Sequence, residues 1–203
     1  MKNEKEKIII SSIGLFVKNG FSKTSMDDIA QSLKMSKKTL YKHFTSKNVL
    51  LKQSVLYFMD FNNNKMQEII SSNDNAIVKA YNIFHFIGSV LLNLSENFLI
   101  DIKTLEPDLW KLIDKIRTKY INQNLTKIID QGKEEGYFIK EPTFLIINTF
   151  ISVIRGNVNP NVVLQKKISI EESFKGSIKI LMQGILTSKG KKVFKSLNIG
   201  ETK

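Results

Sequence analysis

Apolar residues recur at helical spacing over most of the chain, and the places where that period fails mark out its elements. Between Glu4 and Asn19, Ile9, Ile13, Phe16 and Val17 fall at i, i+4, i+7 and i+8, one stripe with charges opposite. Asn19-Gly20 ends this helix, with a glycine able to take the left-handed cap position. Ser25 followed by Asp28 forms a capping box, and Ile29, Ala30 and Leu33 then mark a helix of about two turns. Lys34-Met35 interrupts it, and Ser36 is a second N-cap candidate. The next helix, Lys37 to Phe44, buries Leu40 and Phe44 and turns Lys37, Lys38, Thr39, Tyr41 and Lys42 outward. Phe21 is expected to plug the small core these residues form. Two short helices on a tight turn, the second one basic, read as a helix-turn-helix.

Ser46 caps a fourth helix, from Lys47 to about Ser71, with no proline or glycine in it. Asn73-Asp74 is a cap for a fifth, running to about Leu94, and Ser95 to Lys103 is a short helix. Pro107 is a first-turn proline opening a long helix to about Lys133, which Glu135-Gly136 ends. Pro142 starts another, Thr143 to about Arg155, and a loop covers Gly156 to Ser169. The last long helix runs from Glu171 to about Thr187, with Gly176 and Gly184 allowing close approach. The basic tail from Lys189 either frays or makes one further turn. No stretch reads as a strand, so the predicted class is all-α. It divides into a helix-turn-helix DNA-binding domain over 1–47 and an effector-binding and dimerisation domain over 48–203.

Thr143 to Arg155 is apolar on almost every side, and such a helix must be covered on two. The expectation is a two-fold homodimer in which this helix and the last one pack as four. Its interface is expected to use Phe144, Ile147, Phe150, Ile151 and Ile154 with Phe174, Ile178, Leu181 and Ile185.

Charge changes the picture at one end only. The chain has 203 residues and a net charge of +12, and the first 50 residues carry ten lysines against four acids. The other 153 carry 21 basic and 15 acidic groups, so positive charge is concentrated in the head, as a nucleic-acid face requires. With no cysteine, disulfides, thiolate metal sites and cysteine nucleophiles are excluded. The start of the chain, MKNEKEK, lacks the features of a signal peptide, and the longest apolar stretch is too short to span a bilayer. A cytoplasmic protein with no membrane partner is expected.

At these residues the stretch resembles the TetR family of transcriptional regulators. The resemblance rests on Phe21, Thr24-Ser25, Ile29-Ala30, Met35-Ser36, Thr39-Leu40-Tyr41, His43-Phe44, Ser46-Lys47 and Leu50, and spans Ile8 to Leu51. Lys34 stands where the family usually has a turn glycine, at some cost in backbone strain. Lys38 stands where it usually has a small residue or proline, adding a cation where DNA would lie. The resemblance implies that Thr24, Ser36, Tyr41, His43 and Lys47 touch the DNA backbone. Lys37, Lys38, Thr39 and Lys42 lie where side chains reach base edges, and a lysine can pair with guanine while a threonine methyl meets thymine. The first arginine is Arg117, so bidentate guanine reading is absent from the head, which favours an operator read through A·T contacts and shape.

The family resemblance also implies an effector cavity among helices four to seven. Its candidate lining is Phe58, Phe61, Phe84, His85, Phe98, Trp110 and Tyr120, with Met59, Met66 and Phe86 suited to an apolar ligand. Aromatics at helical spacing also serve as plain core, and His85 reads either as a core histidine or as a polar anchor in that pocket. Catalysis is poorly supported: there are two histidines and no glycine-rich phosphate loop, and the acidic pairs at helix ends suit the helix dipole. No cofactor and no metal site are expected, and His43 reads as a phosphate neighbour. The expected function is a ligand-responsive repressor binding double-stranded operator DNA and released by a small apolar or aromatic effector. The alternative is an all-helical small-molecule or partner-binding protein whose head no longer binds DNA.

Overall fold

The start and stop signals of the sequence place most of the helices. The computed structural model describes residues 4–159, 165 and 167–197. Among them run α1 Glu4–Asn19, α2 Met26–Ser32, α3 Lys37–His43, α4 Lys47–Ile70, α5 Ala76–Leu92, α6 Glu96–Leu105, α7 Pro107–Glu134, α8 Thr143–Asn157, α9 Ile170–Ile185 and α10 Ser188–Ser196. No strand forms among the described residues; one isolated antiparallel bridge joins Phe138 and Leu186. The all-α class read from sequence holds.

Packing divides the chain into two compact units. The first draws on residues up to 63 and on 93–116; the second on 64–92 and on 117 onward. Two of the three boundaries fall inside long helices, α4 and α7, and the third falls at the end of α5. The packing unit around the head is thus larger than residues 1–47, because it takes in α6.

The first unit closes over Ile8, Phe16, Ile29, Leu40, Phe44, Leu50 and Ile102, all fully shielded from solvent or nearly so. Gly20 ends α1 with φ +96°, its N–H donating to the Phe16 carbonyl at 2.9 Å. A Cβ there would sit 3.0 Å from Asp101 Oδ2 and 3.1 Å from Asn97 Cβ, so the glycine serves both the turn and the close approach of α6. The Ser95 N–H donates to the Val17 carbonyl at 3.0 Å, and the Ser22 N–H and hydroxyl both donate to Asp101 at 2.8 Å. These bonds fix α6 against the turn that leads into α2.

The second unit is built on α5, α8 and α9. Ile77, Ala80 and Ile83 of α5 share one core with Ile146, Ile147, Phe150 and Ile151 of α8 and with Phe174, Ile178 and Met182 of α9. Phe138, between α7 and α8, is 2% exposed in the same core. A Cβ on Gly132 would come within 2.2 Å of its ring, so only glycine lets Phe138 lie against α7. Around it the chain returns on itself. The Ile139 N–H donates to the Ile185 carbonyl and the Thr187 N–H to the Tyr137 carbonyl, each at 2.9 Å, while Lys189 Nζ caps α7 through the Glu135 carbonyl at 2.8 Å.

Two elements differ most from the sequence reading. The cap of α5 is Asn75, whose Oδ1 accepts from the Ile77 and Val78 N–H groups at 3.0 and 3.1 Å. Asp74 is instead spent on a local turn with Ser72, at 2.9 Å. The basic tail forms the nine-residue α10, because Thr187 caps it and Val193 and Phe194 pack on the second core. The expected loop at 156–169 and the tail beyond 197 lie partly outside the described residues.

Candidate nucleic-acid interface

The site starts from two serines that fix where α2 and α3 begin. At α2 the Asp28 N–H donates to Ser25 Oγ at 3.1 Å, and the Ser25 N–H and hydroxyl donate back to Asp28 at 2.7 Å. The Ser25 hydroxyl, then its N–H, hold the Asp28 carboxyl below the usual carboxylate range. At α3 the Thr39 N–H donates to Ser36 Oγ at 3.0 Å, and the two hydroxyls are 2.8 Å apart. Between the helices Lys34 turns the chain at φ +53°, in the left-handed region the sequence reading expected it to occupy at some strain.

With Leu40 fully buried, α3 is anchored on one side and presents the other. Lys37, Lys38, Tyr41 and Lys42 are exposed, and Thr39 is half-buried. Of these, Lys37 is committed: its ammonium meets Asp27 of α2 at 2.8 Å, and that hydrogen bond and charge raise its pKa. At the far end of α3, His43 Nε2 lies 2.9 Å from Glu4 Oε2 of α1. Among the described residues no carboxylate pairs with Lys38 or Lys42.

Two expected backbone contacts sit differently. Thr24 is buried, its hydroxyl donating to the Gly20 carbonyl at 2.8 Å, so that group stiffens the α1–α2 turn. Lys47 is half-buried with its ammonium 4.2 Å from the centre of the Phe21 ring. Burial lowers its pKa, against the opposing pull of Asp101 and Asp28. Both assignments came from position in the motif, which says nothing of where a side chain turns. Asp27 and Glu4 were missed, because an acid in a first helical turn reads as a dipole partner until its distance to a lysine or histidine is seen.

The proposed effector residues are divided between the two packing units. Phe98 is buried, and Phe58 and Trp110 half-buried, in the first unit's core. Phe84 belongs to the second unit's core, stacked on Phe150 at 6.2 Å between centroids, and Tyr120 is half-buried in that unit. Phe61 is 49% exposed, stacked on Tyr57, and His85 is exposed beside Tyr81. His85 is therefore not a core histidine.

The dimer candidates also divide. Ile147, Phe150, Ile151, Phe174, Ile178 and Ile185 are buried inside the chain's own second unit, and Ile154 and Leu181 are half-buried. The all-round apolar helix finds its second cover within the chain, from α5 and α9. Phe144 alone of the nine stands out, at 67% exposed, joined by Leu145 at 49% and Ile180 at 71%, which the stripe argument had passed over.

A family model described as bacterial regulatory proteins, tetR family, matches residues 8–53, which hold α1 to α3 and the start of α4. Over residues 8–53 the chain is similar to the TetR family. IcaR, the negative transcriptional regulator of a biofilm operon in Staphylococcus aureus, is 34% identical over 96 residues, 47% of this chain and 50% of that protein. YerO, a helix-turn-helix regulator of Bacillus subtilis, is 42% identical over 69 residues, 34% of this chain and 24% of its own. The chain spans about half the length of IcaR in that match. Solved structures extend the likeness in fold: a transcriptional regulator from Cytophaga hutchinsonii superposes with a TM-score of 0.73 at 22% identity, covering 92% of this chain and all of that one. A regulator from Saccharomonospora viridis, solved in complex with choline, gives 0.68 at 17% identity, covering 90% and 97%.

No single helix among the described residues is long and apolar enough to cross a membrane.

Proposed function

We propose that this protein is a dimeric, ligand-responsive transcriptional repressor of the TetR family that binds double-stranded operator DNA through α3. The carrying observation is a two-turn helix, fixed at both ends, that presents Lys38, Thr39, Tyr41 and Lys42 to solvent beside two capped helix starts. Phosphates meet cations and N–H groups there, and the first turn of α3 meets base edges. IcaR is by its name a negative regulator, which favours repression. A regulator of this fold solved in complex with choline supports a small-molecule effector. Nothing in the side-chain placement favours the reading in which the head has lost DNA binding.

The second copy would meet α8 and α9. Ile180 is flanked four residues away on each side by Gly176 and Gly184, and a Cβ at either glycine would meet nothing within 4 Å. These are helix surfaces shaped for close approach by a helix from outside the chain. Beside them a depression of about 170 Å³, lined by Leu145, Ile146, Phe150, Leu181 and Ile185 among others, can take an apolar side chain.

The test is selection of genomic fragments on the immobilised protein, followed by sequencing. The reading expects one recurrent, two-fold symmetric sequence, released by a class of small apolar molecules. Fragments enriched no more than random DNA would refute it.

A further inference from the structure

Helix α3 is tied by an acid at each end, and one of those acids, Asp27, pairs with a lysine of its first turn. Asp28 already fills the capping role at the start of α2, so the neighbouring Asp27 is not needed there and turns to Lys37 instead, at 2.8 and 2.9 Å through its two oxygens. Both side chains remain more than half exposed, at 55% for Lys37 and 64% for Asp27. The pair is therefore on the surface, between the first turns of the two helices that form the motif. Exposed pairs of this kind are weak, so phosphate competes with the carboxylate for Lys37 and is not shut out. What the pair removes is one unit of positive charge from the face that has Lys38 and Lys42 still available.

Resting on the DNA-binding reading above, we infer that Asp27 masks Lys37 and so sets the ceiling on affinity for any duplex, leaving sequence reading to Lys38, Thr39 and Lys42. Phosphate neutralisation dominates affinity and acts on all sequences alike. A masked lysine thus lowers binding to operator and to arbitrary DNA by the same factor. That keeps a strongly basic head from being held on random sequence.

The experiment compares wild type, Asp27→Asn, Asp27→Glu, Lys37→Met and the Asp27→Asn/Lys37→Met double variant on a selected genomic duplex and a scrambled one, at several salt concentrations. Asp27→Asn should bind both duplexes up to about fivefold tighter per bound subunit near 0.1 M salt, the worth of an exposed ion pair, with a salt slope steeper by a fraction of one phosphate contact. Asp27→Glu should stay near wild type, and the double variant should lose the gain. A gain that survives in the double variant would overturn the proposal, since Asp27 would then act by repelling phosphate itself. An Asp27→Asn protein that melts like wild type and binds no tighter would overturn it too. If the wild-type protein binds no duplex at all, the DNA-binding reading fails first, before any variant is compared.

Discussion

The face of α3 in the first unit and the face of α9 in the second are of opposite kinds. The first unit encloses Ile8, Phe16, Ile29, Leu40 and Phe44 and leaves lysines and a tyrosine hydroxyl outside, on short helices whose starts are pinned by serines. The second encloses a larger core on longer helices and leaves Phe144, Leu145 and Ile180 in the open. A polar face on pinned helices fits a charged, rigid partner such as a duplex. An apolar face beside two open glycines fits a second copy. Each surface is intelligible from what its partner would have to be.

The sharpest way to break this contrast is to strike the second core where it has no slack. Gly132→Ala would drive a methyl into the Phe138 ring, and we expect a loss of about 2–4 kcal/mol in denaturant unfolding. A loss under about 0.5 kcal/mol would show that Phe138 can move aside. Next, Ile180→Glu should leave the fold intact, because the side chain is exposed, yet release monomers in sedimentation and weaken duplex binding at least tenfold. A variant that stays dimeric would place the interface elsewhere. The same change at Phe150 would not serve, since that residue is core.

The smaller effects lie in the head. Lys34→Gly relieves a left-handed backbone and should raise stability by about 0.5–1 kcal/mol, as far as the greater freedom of glycine in the unfolded chain allows. The Asp28 carboxyl is held below its ordinary range, so the capping box contributes fully above about pH 4, the unfolded value. That contribution is lost as pH falls through the lower, folded value. Replacing Asp28 by Asn should therefore flatten the acid limb of the unfolding curve in that window; an unchanged limb would mean the box adds nothing.

How much of this was legible depended on the range of the interaction. Ser25–Asp28, Ser36–Thr39, Gly20 and Pro107 act within a few residues, and the helices they delimit stand where the pattern put them. The αL turn at Lys34 was expected from the family resemblance, since Lys34 stands where a turn glycine is usual. Asp27–Lys37 spans ten residues and Glu4–His43 thirty-nine, and nothing in a linear sequence brings such pairs together. Six of the nine residues expected at the dimer interface are covered within the chain, because an apolar stripe shows that a face is buried but not by whose side chains. Only the fold shows that Ile147 and Ile178 are covered from within and Ile180 is not.

Duplex binding by α3 is tested most directly by salt-dependent isotherms of wild type and Lys38→Ala on a selected genomic duplex and its scrambled counterpart. Lys38 carries no acid partner among the described residues and stands in the first turn of the helix. We expect wild-type affinity to fall linearly on a double-logarithmic salt plot, and Lys38→Ala to cost on the order of 1–3 kcal/mol on the selected duplex and much less on the scrambled one. Equal losses on both duplexes would make Lys38 a phosphate clamp and contradict reading by this turn; no salt-dependent binding to either would contradict the account at its root.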